Sequence, residues 1–149
     1  MSGNKLTGPI LSTLGNLTKL VFQILDGNQI HGLILSEIGN LKSLGYLSLN
    51  RNTLIGPIPS SSGNLTNLKY LSLHSNLLGG SIPYELTKLR SLYHLDLSEN
   101  KISGTVPSEI GKLFNIHKMD LSSNKFSGQI PVQLTNCSSL ERLSLSNNL

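Results

Sequence analysis

The sequence has no tryptophan, one cysteine and two methionines, and only 13% of its 149 residues are charged and 5% aromatic. Each shortage excludes something. One cysteine rules out an internal disulfide and any zinc site built on paired cysteines. Charge at about half the usual quarter does not fit a disordered tail or a coiled coil. No stretch approaches the ~18 apolar residues of a membrane-crossing helix. MSGNKLTGPI at the start has no basic segment leading into a continuous apolar one, so no signal peptide is read there. The net charge is +4, from 12 Lys/Arg against 8 Asp/Glu, but the basic residues are scattered from Lys5 to Arg142. A nucleic-acid partner calls for basic charge gathered on one face and is not expected.

Leucine (31), serine (22) and asparagine (15) are in excess, and the excess is periodic. Asn4, Asn28, Asn52, Asn76, Asn100, Asn124 and Asn148 follow one another at intervals of 24 residues. Three before them stand Leu25, Leu49, Leu73, Leu97, Leu121 and Leu145; five before stand Gln23, Leu47, Leu71, Leu95, Met119 and Leu143. Eight and eleven before, leucine or isoleucine recurs, with Cys137 the one exception. After each Asn come an apolar residue, a glycine (Gly8 to Gly128), Ile or Val and, from Pro59 onwards, a proline.

This pattern is the leucine-rich repeat, L-x-x-L-x-L-x-x-N-x-L. A single coil cannot bury its own apolar face, so coils stack and share one core. Alternation in x-L-x-L-x makes a short parallel strand with two residues inward and their neighbours outward. The Asn amide offers two donors and an acceptor to backbone groups of the turn that would otherwise be buried unpaired. Glycine allows the bend that follows, and Ile-Pro an extended segment, after which a stretch such as Pro107–Leu113 suits a short helical or 3₁₀ turn. The fold class expected is an α/β-type solenoid, a right-handed superhelix with a concave parallel β-sheet and short 3₁₀ or helical turns on the convex side. Its domain organisation is one array with five full repeats, 17–40, 41–64, 65–88, 89–112 and 113–136, flanked by partial repeats 1–16 and 137–149. Both ends cut a repeat in mid-coil and neither carries a cap. The expectation is therefore an interior portion of a longer array or a truncated gene product, the other possibility being a short protein whose ends a partner protects.

With the residues five and three before the Asn inward, those six, four and two before it line the concave sheet. The first lane runs Phe22, Tyr46, Tyr70, His94, Lys118, Arg142, from aromatic to basic. The second holds Asp96 and Asp120 after Ile24, Ser48 and Ser72; the third includes Asp26, Asn50 and His74. A peptide or protein could lie across these lanes, its apolar part on Phe22, Tyr46 and Tyr70 and an acidic part near Lys118 and Arg142. Equally, aromatics suit exposed strand positions through cross-strand packing alone.

Catalytic readings fall away. Asp96 and Asp120 in neighbouring strands stand about 5 Å apart, the spacing of a retaining glycosidase pair, but a flat sheet offers no deep cleft. His74 and His94 lie roughly 13 Å apart along the strands, too far for a shared metal. No phosphate-binding loop or kinase motif is present, so no enzyme activity and no metal or cofactor is expected. Three N-x-[ST] sequons begin at Asn16, Asn64 and Asn136, each twelve residues past a repeat Asn and so on the expected convex side. Glycans there would leave the concave face clear, although G-N-L-T is also repeat consensus. Cys137 is expected as a buried small apolar residue. Gln23, on an inward leucine position, predicts either local distortion of its coil or weak constraint there, and Ser62, Leu11 and Leu35 are milder departures.

The variant L-x-x-L-x-x-L-x-L-x-x-N-x-L-x-G-x-I-P, as in LRSLYHLDLSENKISGTVPSEIGK, resembles the extracellular repeats of plant leucine-rich repeat receptor-like kinases. The resemblance implies a secreted or plasma-membrane parent with a transmembrane helix and a cytoplasmic Ser/Thr kinase, neither within this sequence. It implies recognition of a peptide or protein ligand, and of a co-receptor ectodomain, in signalling. Two alternatives are a secreted wall protein resembling polygalacturonase inhibitors, which should have paired-cysteine caps, and a receptor-derived fragment without binding activity.

Overall fold

A computed structural model describes residues 3–149. Met1, at an inward leucine position by register, lies outside them. Six strands, Phe22–Ile24, Tyr46–Ser48, Tyr70–Ser72, His94–Asp96, Lys118–Asp120 and Arg142–Ser144, lie side by side in chain order as one parallel sheet. The register advances by one whole repeat at each step, so Phe22, Tyr46, Tyr70, His94, Lys118 and Arg142 form one row. Beneath it Leu47, Leu71, Leu95 and Met119, with Leu49, Leu73, Leu97 and Leu121, are buried. Each inward leucine packs on its equivalents one coil away, so the core is continuous.

Gln23 keeps register with Leu47 and its strand is unbroken, so local distortion, one of the two alternatives for this coil, is absent. The position is the sheet's first strand, covered from one side only, and the amide stays partly in water. Leu143, its equivalent in the last strand, is 40% exposed for the same reason.

The turns after the prolines are 3₁₀ rather than α-helical: Ser12–Asn16, Ser36–Asn40, Ser60–Asn64, Tyr84–Lys88, Ser108–Lys112 and Val132–Asn136. Each is entered from an extended residue, at φ between −65° and −68° where that is Pro59, Pro83, Pro107 or Pro131. Leu11 and Leu35 take the same extended conformation at φ −77°, which is why losing the proline there costs no geometry. These segments stack so closely that a Cβ on Gly63 would lie 2.3 Å from the Glu85 carbonyl oxygen.

A second parallel sheet, not foreseen in the sequence, joins Thr7–Pro9, Gln29–Leu33, Thr53–Pro57 and Leu77–Gly79, and Ser103–Gly104 pairs Lys125–Phe126 in the same manner. These strands lie between each repeat Asn and the Ile-Pro or its equivalent, where a glycine bend was expected, and stop short of the Ile-Pro segment that was expected to be extended. Stacked at one repeat's spacing, their backbone donors and acceptors meet, and pairing satisfies groups that would otherwise need water.

The repeat asparagines join coils as well as turns. Asn76 Nδ2 donates to the carbonyls of Leu73 (3.0 Å) and His74 (3.3 Å) in its own coil and of Leu49 (2.9 Å) in the preceding one. Its Oδ1 accepts from the Leu54 amide of that preceding coil at 3.0 Å. Asn52, Asn100, Asn124 and Asn148 repeat the arrangement, and Asn28 bonds Leu25, Asp26 and Leu6 likewise. Asn4, the first of the series, is exposed. The residue before each Asn is left-handed: Gly3 and Gly27 early in the chain, then Arg51, Ser75, Glu99, Ser123 and Asn147 at φ 53° to 56°.

Candidate recognition face

The strand register converts the first lane into a physical stack. Tyr46 and Tyr70 lie with ring centroids 4.1 Å apart and planes within 3°. Tyr70 and the His94 imidazole follow at 4.3 Å and 5°, and Phe22 leans against Tyr46 at 6.3 Å and 38°. Strands about 4.8 Å apart place equivalent rings at stacking distance without further adjustment. Phe22, 66% exposed, begins the row and Lys118 and Arg142 end it, so one side of the sheet runs from an apolar shelf to two cations.

The row has its own electrostatics. Burial, with the Tyr46 hydroxyl beside it, pushes the Tyr70 phenol up to about 12. Burial holds the His94 imidazole below its ordinary value; Asp96 and Asp120 oppose that and Lys118 reinforces it. His94 Nε2 is buried without a hydrogen-bond partner, consistent with a neutral ring.

The second and third lanes are less open than their register suggests. Ser48 and Ser72 are 1% and 0% exposed, because their short side chains bond inward: Ser72 Oγ donates to Asn50 Oδ1 at 2.7 Å, and Asn50 Nδ2 to Ser48 Oγ at 2.9 Å. Asp96 and Asp120 are half-buried and register neighbours. Each is occupied locally: Asp96 Oδ1 accepts from the Ser98 amide and hydroxyl at 3.0 and 2.7 Å, and Asp120 from those of Ser122 at 2.9 and 2.5 Å. His74 approaches Ser75 Oγ through Nδ1 at 3.0 Å, and its backbone N–H donates to Asn50 Oδ1. Among the described residues no group of three metal-ligating side chains comes together.

Asn16, Asn64 and Asn136 are exposed at the ends of 3₁₀ segments, away from the six-stranded sheet. Cys137 is buried, its Sγ 3.4 Å from the Ile110 carbonyl, and burial raises its thiol pKa. A second stack escaped the sequence reading: Tyr93 and His117 lie 4.1 Å apart at 21°, one residue before the strands. The same register argument, applied one position earlier along Val21, Gly45, Lys69, Tyr93, His117 and Glu141, would have found it.

Register, the paired sheets and the Asn ladder define a leucine-rich repeat solenoid. The family model described as Leucine Rich Repeat matches residues 67–89, 91–113 and 115–137. No curated protein matches. Among solved structures, the complex of PEPR1 with AtPEP1 is 38% identical, with a TM-score of 0.93 over 98% of this chain and 20% of that one. The plant peptide hormone receptor RGFR1 in complex with RGF2 is 35% identical, with a TM-score of 0.74 over 97% of this chain and 27% of its own. A plant ice-binding protein is 28% identical, with a TM-score of 0.89 over the whole of this chain and 56% of that one. Further matches include ectodomains of the Arabidopsis thaliana receptor kinases GASSHO1/SCHENGEN3 and SOBIR1. The chain is a leucine-rich repeat array built like the ectodomains of plant leucine-rich repeat receptor kinases. It spans only about a fifth to a quarter of the two receptor structures compared first. No helix among the described residues is long and apolar enough to cross a membrane.

Proposed function

We propose that the chain is a recognition scaffold that binds an extended peptide, or a peptide-like segment of a protein, along the row from Phe22 to Arg142. The continuous ring stack of Tyr46, Tyr70 and His94, open beside Phe22 and ending in Lys118 and Arg142, carries this reading. Stacked rings offer a large, rigid contact area that loses little side-chain entropy on binding. The cations at the far end favour an acidic segment there and so fix the direction in which a peptide lies. The likeness to receptor ectodomains supports the same reading and extends it to a plasma-membrane parent with a co-receptor. Glycans at Asn16, Asn64 and Asn136 would leave this face clear. The fold alone does not choose the function, since an ice-binding protein shares it.

Selection of a synthetic random dodecapeptide library on the chain tests the proposal. The expected consensus is an apolar half and an acidic half in a fixed order, with the acidic preference lost on Lys118→Ala/Arg142→Ala. Peptides that bind without any consensus, or equally well to that variant, would overturn it.

A further inference from the structure

Most glycines of this chain have one of two structural reasons to be glycine; Gly45 and Gly79 have neither, and of these two Gly45 lines a recess. The series from Gly8 to Gly128 is left-handed, and Gly15, Gly39, Gly63 and Gly111 sit where a Cβ would come within 2.7 Å of the next coil's carbonyl. Gly45 has φ outside the left-handed region, and a Cβ there would meet nothing nearer than 3.8 Å. Its equivalents in the other coils all carry side chains: Val21, Lys69, Tyr93, His117 and Glu141.

The missing side chain opens a recess of about 360 Å³ at the start of the strands, beside the ring stack. Val21, Phe22, Tyr46 and Tyr70 give it an apolar side, and Ser43, Asn67 and Lys69 a polar one. Asn67 Nδ2 is engaged by the Lys42 carbonyl at 2.8 Å. The exposed Lys69 ammonium has no hydrogen-bond or ion-pair partner among the described residues. Aromatic faces beside an unpaired cation match a carboxylate carried on a short apolar stem.

We infer that the Gly45 recess is a specificity pocket for a carboxylate of the bound peptide, with Lys69 as its counter-ion. The inference rests on the peptide-binding reading above and adds a second anionic contact, separate from Lys118 and Arg142. The carboxylate can belong to an internal acidic side chain or to the peptide's C-terminus.

The same dodecapeptide library, free at the C-terminus, is selected in parallel on the wild-type chain, Gly45→Leu and Lys69→Ala. The expected result in wild-type selections is an acidic group beside the apolar half, additional to the acidic half that Lys118 and Arg142 select; both variants lose this proximal group while the apolar half and the distal acidic half persist. Unchanged thermal melting of Gly45→Leu checks that the filled recess leaves the fold intact; if that variant misfolds, Lys69→Ala alone decides. A selected peptide is then resynthesised with Gln for its proximal acidic residue and, separately, with an amidated C-terminus. Weakening of about tenfold by one change and not by the other identifies the source. Retention of the proximal acidic group on Lys69→Ala, or tight binding after both changes, overturns the pocket and leaves the wider reading standing. Failure of the wild-type chain to select any consensus overturns both.

Discussion

Four hydrogen bonds converge on the Asn76 amide, two of them from the neighbouring coil, so one side chain closes a turn and fastens it to the next. Asn76→Leu keeps the volume and leaves those backbone groups unpaired; at about 1–3 kcal/mol for each group that water cannot reach, a loss of roughly 3 kcal/mol or more is expected in urea unfolding. The residue before the Asn carries a smaller burden. Arg51 is exposed and held at φ 53°, a conformation that costs a non-glycine residue about 1–2 kcal/mol. Arg51→Gly removes that cost and adds unfolded-state entropy, for an expected net gain of about 0.5 kcal/mol, whereas Gly27→Ala at φ 61° should lose about 1 kcal/mol. The ring stack titrates in two directions. The Tyr70 phenol is raised, so its contribution to stability is intact below about pH 10 and is lost as pH rises towards about 12; absorbance at alkaline pH should show one tyrosine ionising late. The His94 imidazole is lowered, so its contribution is intact above about pH 6.5 and is lost as pH falls below that, because the unfolded chain then binds a proton that the folded one refuses. His94→Phe should flatten the acid limb of a melting-temperature profile.

At the scale of one element, the 3₁₀ segments show how tightly coils are set. Gly63→Ala would force a Cβ against the Glu85 backbone, and an expected loss of about 1–3 kcal/mol should contrast with a change within about 0.5 kcal/mol for Gly45→Ala. Thr87 fills the equivalent position one coil later, with its Oγ1 donating to the Tyr84 carbonyl at 2.6 Å, so the spacing is adjusted coil by coil. Whatever depends on a single repeat was legible in the sequence: the strand alternation, the Asn turn and the segment after the proline all follow from residue types at fixed offsets. What depends on two coils meeting was not. The second sheet, the bonds by which Asn76 reaches Leu49 and Leu54, and the burial of Ser48 and Ser72 need the distance between neighbours, which no single repeat encodes. Of the candidate site, the row from Phe22 to Arg142 was legible because period and strand register coincide. The Gly45 recess was not, since a missing side chain stands out only once the left-handed and the close-packed glycines have been set aside.

For the whole molecule, an array of near-identical coils has a stability that sums over neighbours, which leaves the concave row free to vary without changing the fold. That freedom lets one architecture serve receptors and an ice-binding protein alike, and it puts the weight of any functional claim on side chains such as Tyr46, Tyr70, Lys118 and Arg142. The central claim is that a peptide lies on the ring stack. Its most direct test is the affinity of one library-selected peptide for the wild-type chain and for Tyr46→Ala/Tyr70→Ala, measured by calorimetry with circular dichroism melts as the folding control. Two central aromatic contacts are together worth about 2 kcal/mol or more, so binding should weaken about thirtyfold or beyond while the variant stays folded. Equal affinity for the two folded proteins would contradict the account.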